Sequence, residues 1–279
     1  MKNPIYPSLW FDGNAKAAAD FYCSIFKNSK ITVETPMVVN FELHGKKFMG
    51  LNGGPQFNFN PSISFFVVCE TEDEIDSAWA KLIEGGMAMM PLDKYPWSEK
   101  YGWVKDKFGL SWQLMTGSSE TMEQKIIPAF MFTGSQAGKA EHAINFYASI
   151  FNDSKIKEIN RYVAGEQDVE GTIKHSRFRL GRENFVAMDS SAPHGFQFNE
   201  AISFVVDCET QEEIDHYWNR LTEGGQESQC GWLKDKFGVS WQIVPTILGK
   251  LMSDPAKSQR VVAAFMQMKK FNIAKLLSA

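Results

Sequence analysis

Cysteine is scarce in this chain of 279 residues: there are four, at positions 23, 69, 208 and 230, and no pair has a Cys-x-x-Cys spacing. That argues against a disulfide framework and against a cysteine-built zinc site. It leaves reduced, buried thiols in a cytoplasmic protein as the expectation. No apolar run approaches the roughly 18 residues of a membrane span. The start, Met1-Lys2-Asn3-Pro4, leads toward a strand-like run and has no apolar core of the kind a secretory signal needs. Positive charge is not in excess either: the formal net charge is −4, and no basic stripe with interleaved aromatics occurs. Neither nucleic acid nor a membrane is expected as a partner.

What is present is ordinary for a globular chain: 44% hydrophobic and 22% charged residues, enough to bury substantial cores. The length allows one large or two ordinary domains. An internal repeat decides between them. Gly102-Trp103-Val104-Lys105-Asp106-Lys107-Phe108-Gly109-Leu110-Ser111-Trp112-Gln113 returns as Gly231-Trp232-Leu233-Lys234-Asp235-Lys236-Phe237-Gly238-Val239-Ser240-Trp241-Gln242. The only differences are two Val/Leu swaps, which marks a duplication. Lys105-Asp106-Lys107 and Lys234-Asp235-Lys236 read as turns with their charges in water.

The first half opens with a strand over 5–11, turn chemistry at Asp12-Gly13-Asn14, and an amphipathic helix carrying Ala15, Ala18, Ala19, Tyr22 and Ile25. A further extended run, 30–35, and a hairpin about His44-Gly45 follow. Asn52-Gly53-Gly54-Pro55 then breaks the pattern, with backbone free to approach a neighbour. A β-branched strand over 63–69 and a helix over 71–84 restart it, with acids in the first turn and glycines at the end. Each half therefore reads as β-α-β-β-β twice. The halves differ mainly in loops: about ten extra residues between Gly86 and Tyr101 in the first, about twelve near 162–171 in the second. The expected domains are 1–120 and 124–247. An apolar helical extension over 248–279 follows, with Asp254-Pro255 as its start signal and a core or a subunit groove as its berth.

The motifs Leu9-Trp10-Phe11-Asp12-Gly13-Asn14-Ala15, Asn52-Gly53-Gly54-Pro55-Gln56-Phe57, Ile63-Ser64-Phe65 and Tyr101-Gly102-Trp103-Val104-Lys105-Asp106, with Cys230-Gly231-Trp232-Leu233-Lys234-Asp235 in the second half, carry a family resemblance. The chain resembles the vicinal-oxygen-chelate superfamily of glyoxalase I, extradiol dioxygenases and fosfomycin-resistance proteins. Within that group it looks like the PhnB-like, demethylubiquinone 3-methyltransferase-like branch. The resemblance implies an α+β fold of tandem glyoxalase-like domains, each of two paired βαβββ modules whose sheets curve around a cavity. It implies a pseudo-dimer within one chain. Single-domain relatives commonly dimerise, so a homodimer of this chain stays open as well.

The superfamily's metal enzymes place His and Glu on facing strands. Here the matching strands offer Ser8, Leu9 and Trp10, Ala129, Phe130 and Met131, then Ser64 and Ser203, and finally Gln113 and Gln242. No metal and no cofactor are expected. The five histidines, 44, 142, 175, 194 and 216, have no repeat-related partners, and most read as surface or hairpin residues. An S-adenosylmethionine or dinucleotide site would want a Gly-rich turn from a parallel strand straight into a helix, which Asn52-Gly53-Gly54-Pro55 does not supply. The candidate ligand-binding residues are Asn52, Ser64, Trp103 and Gln113 in the first half and Asp189, Ser203, Trp232 and Gln242 in the second. The expected function is binding of a small, partly apolar molecule in the cavity. A metal-dependent lyase, dioxygenase or resistance-type transferase, and a non-enzymatic interaction scaffold, are the alternatives.

Overall fold

The computed structural model describes residues 4–118 and 123–279. The expected break between the halves, 120 to 124, begins outside the described residues. Four βαβββ modules follow one another. The first contains β1 (Ile5–Phe11), α1 (Ala15–Ile25), β2 (Lys30–Glu34), β3 (Val38–Leu43) and β4 (Lys46–Asn52). The second contains β5 (Ile63–Cys69), α2 (Glu72–Leu82), β6 (Met87–Tyr95), β7 (Ser98–Lys105) and β8 (Ser111–Thr116). The third contains β9 (Ile126–Phe132), α3 (Ala140–Ile150), β10 (Lys155–Arg161), β11 (Ile173–Leu180) and β12 (Glu183–Asp189). The fourth contains β13 (Ile202–Cys208), α4 (Gln211–Leu221), β14 (Gln226–Glu227), β15 (Trp232–Lys234) and β16 (Ser240–Pro245).

Local chemistry starts the helices. Thr71 accepts a hydrogen bond from the Glu74 amide at 3.1 Å, and Glu74 reaches back to the Glu70 amide at 2.8 Å. Thr210 and Glu213 repeat this arrangement at α4. Such reciprocal caps satisfy amides that the first turn leaves free.

Two eight-stranded sheets result, and each takes one module from each half. The first sheet runs β14-β15-β16-β13-β1-β4-β3-β2 and the second β10-β11-β12-β9-β5-β8-β7-β6. Antiparallel pairs, β1 with β13 and β5 with β9, join the modules at the centre. The arrangement is close to two-fold symmetric. Asn60 donates to the Gln197 carbonyl at 3.0 Å and Asn199 to the Asn58 carbonyl at 2.9 Å. Lys46 and Glu183, repeat partners of each other, form an ion pair.

The core lies between the sheets. Tyr22 on α1 meets Phe41 of the first sheet and Trp112 of the second, and Phe48 meets Phe65 across the gap at 5.4 Å. Tyr147, Phe185, Phe204 and Trp241 repeat this packing in the other half. The duplicated Lys-Asp-Lys turn departs from expectation here. Its lysines reach out, but Asp106 and Asp235 are buried. Each accepts from two backbone amides, at 2.8 and 3.0 Å for Asp106 and at 2.9 and 3.1 Å for Asp235. Each also takes the indole N–H of the Trp that follows, Trp112 at 2.8 Å and Trp241 at 2.9 Å. These are buried hubs that tie the last turn to the last strand, and a charge run seen in one dimension hides them.

The tail forms α5 (Ile247–Met252), α6 (Ser258–Phe265) and α7 (Ile273–Ser278). Asp254 and Pro255 sit in a turn before α6, three residues ahead of the helix they were expected to start. The tail docks on its own chain: Val261, Phe271 and Leu276 are buried. Cys230 and Gly231 donate their amides to Met268 and Lys269 carbonyls at 2.7 Å each. No helix among the described residues is long and apolar enough to cross a membrane.

Candidate functional site

Each strand that turns Trp112 or Trp241 toward the core turns its neighbouring residues to the sheet's other face. On this outer face the two sheets begin alike. In the second sheet Gln113 donates to Ser64 Oγ at 2.7 Å, and in the first Gln242 donates to Ser203 Oγ at 2.9 Å. Beyond that the faces part.

The outer face of the second sheet is filled. Tyr101 donates to Gln113 Oε1 at 2.5 Å, so Ser64, Gln113 and Tyr101 form one buried chain. Trp103 donates its indole N–H to Ser111 Oγ at 2.6 Å. Tyr95 sits edge-on to Tyr101 at 5.6 Å, and Trp97 stacks on Tyr95 at 5.1 Å. Phe66, Ile127, Ala129 and Val186 complete an apolar cluster. His175 on β11 lies edge-on to Phe66, and burial lowers its pKa, which keeps the ring neutral at pH 7. Alternation along β11 puts it on this face.

The first sheet keeps a cleft of about 430 Å³ at the matching end. Trp10, Phe57 and Trp232 form its aromatic walls, with Cys230 and Ser240 deeper and Glu200, Glu227 and Lys234 at the rim. Trp10 meets Phe57 at 5.1 Å and Trp232 at 6.0 Å, both edge-on. Trp10 is itself held by the Asn52-Gly53-Gly54-Pro55 loop. Its indole N–H donates to the Gly54 carbonyl at 2.7 Å, and a Cβ on Gly53 would stand 2.1 Å from the ring. The glycine is therefore required by a tryptophan of the same chain.

Ser240 is the unusual polar group. It is 1% exposed, and its hydroxyl has no hydrogen-bond partner. Its repeat partner, Ser111, is satisfied by Trp103, whereas Trp232 has swung into the cleft wall. Cys230 stands where the repeat has Tyr101. It takes a left-handed backbone, φ 57°, and its Sγ lies 3.7 Å from Met266 Sδ. Burial pushes its thiol pKa up, so it is no ready nucleophile at neutral pH. At the rim Lys234 pairs with Glu200 at 2.7 Å. Trp218 donates to Glu227 at 3.1 Å, which with Lys269 holds that carboxyl below its ordinary range.

Asn52 and Asp189 have a different task from the one expected. Asn52 Oδ1 accepts from the Ala15 amide at 3.0 Å, and Asp189 Oδ1 accepts from the Ala140 amide at 3.1 Å. Each caps the helix of its own module from the end of its fourth strand. Burial raises the Asp189 pKa, against the backbone amides of Ile173, Ala140 and Gly138 that favour the ionised form. Trp232 alone of the eight candidate residues lines the cleft, Gln242 and Ser203 lie on the same face, and Ser64, Gln113 and Trp103 belong to the filled one.

These donors do not suit a divalent ion of the superfamily type. The facing positions carry hydroxyls, amides and Ala129, and no group of three His, Cys, Asp or Glu side chains is gathered among the described residues. A neutral amide is a poor replacement for a carboxylate on such a metal.

The family model for 3-demethylubiquinone-9 3-methyltransferase matches residues 3–115 and again 124–244. The chain belongs to that family. Among solved structures, the PhnB protein from Bacillus cereus is 38% identical over 40% of this chain and 98% of its own, with a TM-score of 0.38. A Staphylococcus aureus protein is 29% identical over 42% of this chain and all of its own, with a TM-score of 0.20. Glyoxalase I from Zea mays covers 90% of this chain and 96% of its own at 11% identity and a TM-score of 0.57, which extends the shared fold across both halves. No curated protein matches the chain. In this member of the 3-demethylubiquinone-9 3-methyltransferase family, each matched segment gives one module to each of the two sheets whose outer faces differ.

Proposed function

We propose that the protein binds a small, flat, partly apolar molecule in the cleft of the first sheet, between Trp10, Phe57 and Trp232. The observation that carries this reading is the orphaned hydroxyl of Ser240 in an aromatic-walled cleft of about 430 Å³. A buried hydroxyl without a partner costs about 1–3 kcal/mol. The hydroxyl lies covered beneath the cleft, so a ligand reaches it only by displacing the side chains over it; one that does so removes that cost and is oriented by it. The aromatic walls favour a ring. The rim carboxylates and Lys234 are already paired, so the ligand is neutral or nearly so. Among the described residues no activated nucleophile or free base faces the cleft, and the reading is binding without a metal-assisted step.

Native mass spectrometry of protein purified without chelator, followed by a thermal-shift screen of mono- and bicyclic aromatic carbonyl compounds, tests this. A retained or added compound should raise the melting temperature of the native protein and not that of Trp232→Ala. Stabilisation that survives in Trp232→Ala places binding elsewhere and sinks the proposal.

A further inference from the structure

A groove lies beside α2 in the first half. It holds about 290 Å³ between the end of α1, the β3–β4 turn and the first turns of α2. Phe26, His44, Val67, Cys69, Glu74 and Ala78 are among its lining residues. Val67, Cys69 and Ala78 are buried and make an apolar floor. It lies on the core side of the fold, away from the cleft of the first sheet.

The second half shows what fits there. Ala78 has Tyr217 as its repeat partner. The Tyr217 ring is 3% exposed and stacks on Phe151, the partner of Phe26, at 5.1 Å and 25°. Burial, then Cys208 and Glu213, push its hydroxyl pKa up to about 12, so the phenol sits close to both groups and stays neutral. The first half keeps the same surroundings without the ring: Phe26 for Phe151, Cys69 for Cys208, Glu74 for Glu213. His44, where the second half has Gly181, adds an imidazole 5.7 Å from Phe26. Burial lowers its pKa, so the rim gains a polar group without a charge at pH 7.

We infer that this groove is a second ligand site, for a small neutral phenol whose ring lies where Tyr217 points in the other half, set back from the Ala78 Cβ by van der Waals contact. The ring would stack on Phe26, and the hydroxyl would lie toward Glu74, which Lys125 already holds at 3.1 Å.

The probe is p-cresol, the side chain of tyrosine as a free molecule, titrated by calorimetry and by saturation-transfer NMR at pH 7. For so small a ligand a dissociation constant on the order of 1 mM is expected. Ala78→Tyr fills the groove and should lose one equivalent of p-cresol, or weaken it at least tenfold. Tyr217→Ala opens the matching groove and should gain one equivalent, which decides the matter even if Ala78→Tyr folds poorly. Trp232→Ala, in the cleft, should leave this equivalent in place. The inference is overturned if the native protein binds no p-cresol, if Ala78→Tyr binds it as well as the native chain, or if the equivalent disappears in Trp232→Ala instead.

Discussion

The two outer faces share a centre and differ at one end. Ser64 with Gln113 and Ser203 with Gln242 are the same pair on the same strands. Hairpin length separates what lies beside them. In the second sheet β6 and β7 are nine and eight residues long, and they carry Tyr95, Trp97 and Tyr101 onto the face. In the first sheet β14 and β15 have two and three residues. The tail supplies backbone partners to Cys230 and Gly231 there, but it brings no ring onto the face. A duplicated sheet can thus keep its polar centre and still be closed on one side and open on the other. The decision rests in a connection, where insertions are tolerated.

The comparison breaks most easily at Tyr101. Tyr101→Ala should empty the closed face and leave Gln113 Oε1 without its donor, costing about 3–5 kcal/mol in urea unfolding. A cost below about 1 kcal/mol would mean that the face was never packed. Behind the open face, Tyr147 donates to buried Asp235 at 2.7 Å. Burial pushes the Asp235 carboxyl up to about 6. A folded-state value above the unfolded one of about 3.9 means that protonation favours the fold. That contribution is complete below about pH 4 and is lost as pH rises through about 6. Tyr147→Phe removes a donor to the ionised form, raises the value further and costs about 1–3 kcal/mol at pH 7. The gap in melting temperature between native and variant should widen from pH 4 to pH 8, and a constant gap contradicts the account.

Smaller effects sharpen the contrast. Gln113→Leu strands Tyr101 as well as Ser64 and should cost about 1–3 kcal/mol, more than Gln242→Leu, which frees only Ser203. Equal costs by denaturant titration would show the Tyr101 bond to be weak. At the finest scale, Ser111→Ala should cost about 1 kcal/mol by loss of the Trp103 bond, while Ser240→Ala should be neutral or slightly stabilising. The same Ser240→Ala should weaken any cleft ligand, and a variant that binds unchanged removes Ser240 from the site.

The modules, their order and the duplication were legible because the repeat preserves both turn chemistry and strand alternation. Partner choice between modules was not. β1 and β5 carry similar β-branched and aromatic patterns, and nothing local says that β1 pairs with β13. The caps made by Asn52 and Asp189 depend on the end of a fourth strand meeting the start of a helix 37 and 49 positions earlier, a spatial fact. Asp106 and Asp235 hid among lysines because burial is decided by the turn's direction. Gln113, Gln242, Ser64 and Ser203 were found because alternation around a core Trp fixes their face. Trp10, Phe57 and Ser240 were missed as cleft residues because the cleft is left by the shortness of the β14–β15 hairpin.

Because each sheet is stitched from both halves, neither half owns a complete sheet. Severed between β8 and β9, the first half would expose β1 and β5 as raw edges at once. Two such fragments would mend one another, β5 of one copy serving beside β1 of the other where β13 stood. The fused chain is in this sense a dimer that carries its own partner at a fixed local concentration. Fusion also released the two copies from having to be identical, and that freedom is what one closed face and one open face record.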